Sequence, residues 1–161
     1  MQRVASINVI SPDAEGVFFG PIRRLADLHH ASSLYELRAV LERLDPADAP
    51  VTLDLIGHST RDHHLLRLGD DRVDMLDPVV ASFFRSLAAD RLLSRLGVRA
   101  VRLLGCETAV APGGRRTLRL LARTLGLPVF GATRTLAKSH YDERGFNPVF
   151  ARILVEASNL R

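Results

Sequence analysis

The sequence predicts an α/β fold of three layers: a mostly parallel sheet with helices on both faces. Three observations lead there. Short aliphatic runs at 3–10, 51–57, 98–104 and 127–132 have strand length and composition. Stretches of helical period separate most of them. The chain has 161 residues with 47% hydrophobic and 25% charged residues, which suits one ordinary globular domain spanning 1–161. Strands alternating with helices pack as a parallel sheet covered on both sides.

Each element follows from local chemistry. Val4, Ile7, Val9 and Ile10 make the first strand, and Ser11-Pro12-Asp13 closes it. Residues 13–31 show no clean period and read as a loop with short structure. Ser32 or Ser33 caps a helix, with Glu36 at capping-box distance from Ser33. Leu34, Leu37, Val40, Leu41 and Leu44 form its apolar face, and Asp45-Pro46 stops it. The second strand lies between Pro50 and Gly57. Residues 64–68 and 72–75 flank Gly69-Asp70-Asp71 and predict a small hairpin after that strand.

Asp77-Pro78 opens a long helix whose stripe runs from Val79 to Leu96, with Gly97 ending it. Residues 98–104 form a more fully apolar strand. Ala111-Pro112-Gly113-Gly114 enters a helix carrying Leu118, Leu121, Ala122 and Leu125. A short strand at 127–132 follows. Phe146, Val149, Phe150, Ile153 and Leu154 predict a final amphipathic helix.

Composition narrows the function. The one cysteine excludes an intramolecular disulfide and any Cys-rich zinc site. The longest uncharged apolar runs fall far short of a membrane span, and the N-terminus lacks the apolar core of a secretory signal, so a soluble, cytoplasmic protein is expected. The net charge is +4 with a pI of about 10.2. The arginines are spread along the sequence, with no helix-turn-helix, RNA-binding aromatic motif or zinc finger. They read as a solvated surface, and nucleic acid is not the expected partner.

Reactive groups in an open parallel sheet collect beyond the carboxyl ends of the strands. His58 directly follows the strand closed by Gly57. Cys106 directly follows the strand closed by Gly105. Neighbouring strands lie about 5 Å apart, so the two side chains can meet on one sheet edge. An imidazole beside a thiol can activate it as a nucleophile or protonate a leaving group, and N–H groups at the turns can hold an oxyanion.

These segments resemble a known group. Leu53-Asp54-Leu55-Ile56-Gly57-His58-Ser59 looks like the strand-then-histidine element of the caspase-like (clan CD) cysteine proteases. Leu103-Leu104-Gly105-Cys106-Glu107-Thr108-Ala109 looks like their strand-then-cysteine element. His58 and Cys106 are 48 residues apart (106 − 58), close to the caspase spacing. Leu66-Arg67-Leu68-Gly69 and Leu127-Pro128-Val129-Phe130-Gly131-Ala132-Thr133 are more like the bacterial CHAT-type branch. The likeness covers residues 50–135 best.

The resemblance implies a caspase-like three-layer sandwich and a cysteine endopeptidase working through a thioester on Cys106. His58 would be its general acid/base, and the N–H groups of Ser59 and Cys106 its oxyanion donors. It implies a protein or peptide substrate and no metal or organic cofactor. Ser59 stands where these proteases usually carry glycine, and Glu107 follows the nucleophile. Both departures point toward the alternative, a non-catalytic interaction module on the same fold in a bacterial regulatory or defence system, with a partner protein supplying regulation. An anion- or nucleotide-binding domain is a third reading. Arg134 can line a pocket for an acidic substrate side chain, and Asp142 and Glu143 one for a basic side chain. Three further signals are set aside. Gly57-His58-Ser59-Thr60-Arg61 lacks the closing glycine of a serine nucleophile elbow. His58, His63 and His64 lack the partners of a metal site, because adjacent residues of an extended chain point apart. Ala111-Pro112-Gly113-Gly114 lacks the lysine of a phosphate loop.

Overall fold

The structure is a computed structural model and describes residues 3–19 and 28–160. Its main sheet has six strands. In chain order these are β1 (Ala5–Ile10), β2 (Leu28–His30), β3 (Val51–Ile56), β6 (Val98–Leu104), β7 (Val129–Ala132) and β10 (Leu154–Glu156). They lie in the order β10-β7-β6-β3-β1-β2. Five are parallel, and β10 runs antiparallel to β7. β1 connects toward one edge and β3 toward the other, the strand reversal that creates a crevice at the carboxyl ends.

Two apolar clusters lie against opposite faces. One joins Val9, Leu53, Leu55, Val101 and Leu103 to α2 (Leu34–Arg43), α3 (Pro78–Ala89), α4 (Leu92–Leu96) and α5 (Pro112–Leu125). The other joins Ile10, Ile56, Leu104 and Ala132 to Phe18 of α1 (Glu15–Phe19) and to Leu136, Tyr141, Phe146 and Ile153. Alternate residues of each strand supply alternate faces, as the pleat requires. The helices divide as right-handed crossovers demand, because the chain leaves β1 in one direction and β3 in the other.

The caps are built from the residues their chemistry favours. Ser33 Oγ accepts the Glu36 N–H at 3.0 Å, and the Glu36 carboxylate accepts from the Ser32 N–H and hydroxyl, each at 2.6 Å. Those bonds hold the Glu36 carboxyl below its ordinary pKa. Asp77 caps α3 by accepting the Val79 N–H at 2.9 Å. β4 (Arg67–Leu68) and β5 (Asp71–Arg72) form a two-stranded antiparallel ladder around Gly69 and Asp70.

Two sequence expectations are corrected. The helix expected from Asp77 to Gly97 is two helices. Arg91 adopts a left-handed φ of 55°, and the N–H groups of Asp90 and Arg91 bond back to Ser86 and Ala88. Asp90 is held by Arg38, so α3 ends there and α4 starts afresh. The amphipathic stripe therefore crosses a break that apolar spacing does not reveal.

The expected final helix is absent. β8 (Tyr141–Asp142) pairs with β9 (Gly145–Phe146), a 3-10 turn covers Pro148–Ile153, and β10 follows. The Asn147 side chain caps that turn through the Val149 N–H. Thr133 donates both its N–H and its hydroxyl to the Ile153 carbonyl, at 2.8 and 2.9 Å, which aligns the chain to pair with β7. The open edge of β7 needs a partner strand, and that need overrides the helical spacing. The stretch 13–31 holds a 3-10 turn (Pro12–Ala14), α1 and β2; residues 20–27 lie outside the described ones.

Candidate functional site

β3 and β6 are neighbours with Asp54 level with Arg102 and Ile56 level with Leu104. That register depends on a bulge. Val51 pairs with Val98 but Thr52 with Ala100, so Arg99 is the extra residue. A slip of one residue would reverse which face each side chain occupies. With the bulge, His58 and Cys106 each lie two positions past level residues at the same sheet edge. The turns after the strands are joined by two bonds. The Gly57 N–H donates to the Leu104 carbonyl at 3.3 Å, and the Ser59 hydroxyl donates to the Cys106 carbonyl at 2.7 Å.

Both glycines are required by close approach. A Cβ on Gly57 would fall 2.2 Å from the Arg67 carbonyl oxygen, and one on Gly105 would fall 2.7 Å from Ser59 Oγ. The loop after β3 folds back in an antiparallel bridge, with the Arg67 N–H on the His58 carbonyl and the Thr60 N–H on the Leu65 carbonyl, both at 2.8 Å. Neither the Ser59 nor the Cys106 N–H is taken by another described group.

Cys106 is half-buried. Its sulfur accepts the Leu136 N–H at 3.4 Å and donates to the Leu136 carbonyl at 3.8 Å. His58 is also half-buried, and its ring packs on Phe18 with centroids 6.1 Å apart. Among the described residues no hydrogen bond joins the imidazole to Sγ. The two residues share the sheet edge, and the sulfur's bonds are to the backbone beyond β7.

Beneath them lies a polar brace inside the apolar layer. The Arg102 guanidinium grips the fully buried Asp54 carboxylate through two bonds of 2.6 Å and donates to Ser6 Oγ at 3.2 Å. Burial works against the Arg102 charge, but Asp54 outweighs it and raises the guanidinium pKa above its ordinary value. Arg102 also sits over the Phe146 ring at 5.4 Å. Phe146 stacks edge-on to Tyr141 at 5.8 Å, and Tyr141 meets Phe18 at 5.4 Å, so aromatic contacts run from the brace up to His58. Burial, with the charge of Asp54 adding to it, pushes the Tyr141 phenol well above its ordinary range, so it stays neutral.

The remaining candidates are spread around the rim. Arg134 is exposed beyond β7, and its carbonyl accepts the Glu107 N–H at 3.1 Å, which places it beside the cysteine turn. Glu107 has a left-handed φ of 56°, and its carboxylate lies 3.6 Å from His64 Nε2. His64 is itself left-handed, at φ 52°, while His63 lies 3.7 Å from Asp62. Asp142 is held by Arg3 through bonds of 2.6 and 2.9 Å, and Glu143 is exposed. Ala111-Pro112-Gly113-Gly114 is the entry to α5, with Ala111 at its N-cap. No group of three His, Cys, Asp or Glu side chains among the described residues gathers as a metal site. No described helix is long and apolar enough to cross a membrane.

Sequence reasoning missed Asp54, Arg102, Phe18, Tyr141 and Leu136. The first two carry a signal: a charge inside each of two apolar strands, at the same 48-residue separation as His58 and Cys106. Phe18 and Leu136 lie in segments with no period, and Leu136 acts through its backbone. No family model matches the chain, and no curated protein shows significant similarity to it.

Proposed function

We propose that the chain is a caspase-like cysteine endopeptidase in which Cys106 is the nucleophile and His58 the general acid/base. The observation supporting this is the register of β3 on β6. It brings an imidazole and the chain's one thiol past the same sheet edge on turns tied together by Ser59. In the reaction, His58 takes the Cys106 proton and the sulfur attacks the substrate carbonyl. The N–H groups of Ser59 and Cys106, which no described group uses, receive the oxyanion. Protonated His58 gives its proton to the leaving amine, leaving a thioester. Water, deprotonated by His58, then releases the acid and restores the thiol. The Leu136 N–H steadies the sulfur in the charged step. Exposed Arg134 beside the cysteine turn suits an acidic substrate side chain.

One observation favours the second reading, an interaction module on this fold: the thiol donates to the Leu136 carbonyl, and no hydrogen bond reaches it from His58. Incubation with a degenerate peptide library, followed by mass spectrometry, separates the two. A peptidase gives cleavage that both Cys106→Ala and His58→Ala reduce by about a hundredfold or more. Absence of cleavage by the unaltered chain, or cleavage indifferent to Cys106→Ala, supports the module.

A further inference from the structure

The arginines spread along the sequence are not spread over the fold. Residues 91–134 contain nine arginines and a single carboxylate, Glu107, whereas residues 1–90 contain nine arginines and fourteen carboxylates. The basic segment builds α4, β6, α5 and β7; in the sheet, β6 and β7 lie on one side of β3, and β1 and β2 on the other. On α5, Arg116, Arg119 and Arg123 are exposed, and their spacing aligns them on one helix face over about 10 Å of axis. At the end of α5, Leu125 and Gly126 border a depression of about 370 Å³ that Arg91 and Arg99 also line. Arg91 holds its left-handed position at the start of α4, and Arg99 is the bulge residue of β6; both are exposed. The nearest acid in sequence, Asp90, is bound by Arg38 of α2.

We propose that this side of the molecule binds the phosphodiester backbone of a nucleic-acid duplex, without reading its sequence. Guanidinium groups match phosphate oxygens two at a time. A row of exposed guanidinium groups gives the salt-dependent, sequence-independent part of nucleic-acid binding. The patch also lacks what a protein partner needs. Among the described residues, Val110 on the turn before α5 is the one exposed large hydrophobic residue of 91–134, whereas Tyr35, Leu76 and Val79 lie exposed in the acidic half. Protein interfaces are anchored by buried apolar and aromatic groups, and phosphate contacts are not. The proposal is independent of the peptidase reading, since it uses neither His58 nor Cys106.

Fluorescence anisotropy with a labelled 20-base-pair DNA duplex, and with an RNA duplex of matching sequence, tests it on the full chain. Both are expected to bind, with a scrambled sequence binding equally. The slope of log affinity against log salt should be about −3 or steeper, the value for three or more phosphates. Arg116→Glu combined with Arg123→Glu should weaken binding about tenfold or more and flatten the slope by about two. Arg43→Glu combined with Arg72→Glu makes the same change of charge on the acidic side and should leave binding within about twofold. Tighter binding of the RNA assigns A-form RNA as the source of the backbone, and tighter or equal binding of DNA assigns DNA. The proposal is overturned by no binding of either duplex at 50 mM salt (about 10–15 Å screening length). It is also overturned by equal losses in the two paired variants, or by polyglutamate binding as tightly as the duplexes, which would point to an acidic protein.

Discussion

The two faces of the sheet are built in different ways. The face covered by α2 to α5 is a mainly aliphatic layer, with Phe84 in it, on helices of regular period. The face covered by α1 and residues 133–153 has short elements, four aromatic or imidazole rings in a chain, and a charged pair whose carboxylate is fully buried. The first face supplies rigidity, and the second supplies the groups that touch His58 and Cys106. A site at the sheet edge is therefore positioned by irregular structure on one side and held in register by regular structure on the other.

The sharpest contrast is expected from the brace. Removing one partner leaves a buried charge unpaired, so Asp54→Ala should cost about 3–5 kcal/mol by urea denaturation. Replacing both partners, as Asp54→Leu with Arg102→Met, should recover most of that loss. If the double variant is as unstable as the single one, the pair is not the element that holds this face.

On the helical face, Leu121→Ala empties a fully buried position of α5 and should cost about 3 kcal/mol. The reactivity of Cys106 should be unchanged in that variant, because Leu121 belongs to one apolar cluster and Cys106 packs against the other. A change in thiol reactivity there would erase the distinction between the faces.

Phe18→Leu makes a smaller change in packing, about 1 kcal/mol. It removes the ring that meets the His58 imidazole. The His58 ring resonances in proton NMR should move in this variant and stay in place in Leu121→Ala; equal movement in both would deny Phe18 its positioning role.

The smallest effect is expected at the outer strap. Arg3 holds Asp142, and the hydrogen bond from Arg3 keeps the Asp142 carboxyl below its ordinary pKa. Asp142→Asn should cost under about 1 kcal/mol near neutral pH. A carboxyl with a depressed folded pKa contributes fully above its unfolded value of about 4 and loses that contribution as pH falls through the lower folded value. The stability gap between the unaltered chain and the variant should therefore close in acid. A gap that widens as pH falls would contradict this.

What the sequence made legible follows the same division. The regular face announces itself through the spacing of Leu34, Leu37 and Leu41 and of Leu118 and Leu121, and through Ser33 and Asp77 at the caps. His58 and Cys106 were visible as residues following strand-closing glycines. The break at Arg91 was hidden because an apolar stripe continues across it. The segment ending in β10 is not legible, because Phe146, Val149, Phe150 and Ile153 have helical spacing, while the edge of β7 is a long-range demand that no local period records. Leu136 enters the site through its amide, which side-chain identity cannot announce.

The pairing of His58 with Cys106 is tested most directly by the alkylation rate of the chain's one cysteine with iodoacetamide across pH, in the unaltered chain and in His58→Ala. A cooperating pair gives fast reaction extending to acid pH that falls about tenfold or more without the imidazole. Slow reaction of equal rate in both proteins, rising only toward alkaline pH as in a free thiol, would contradict it.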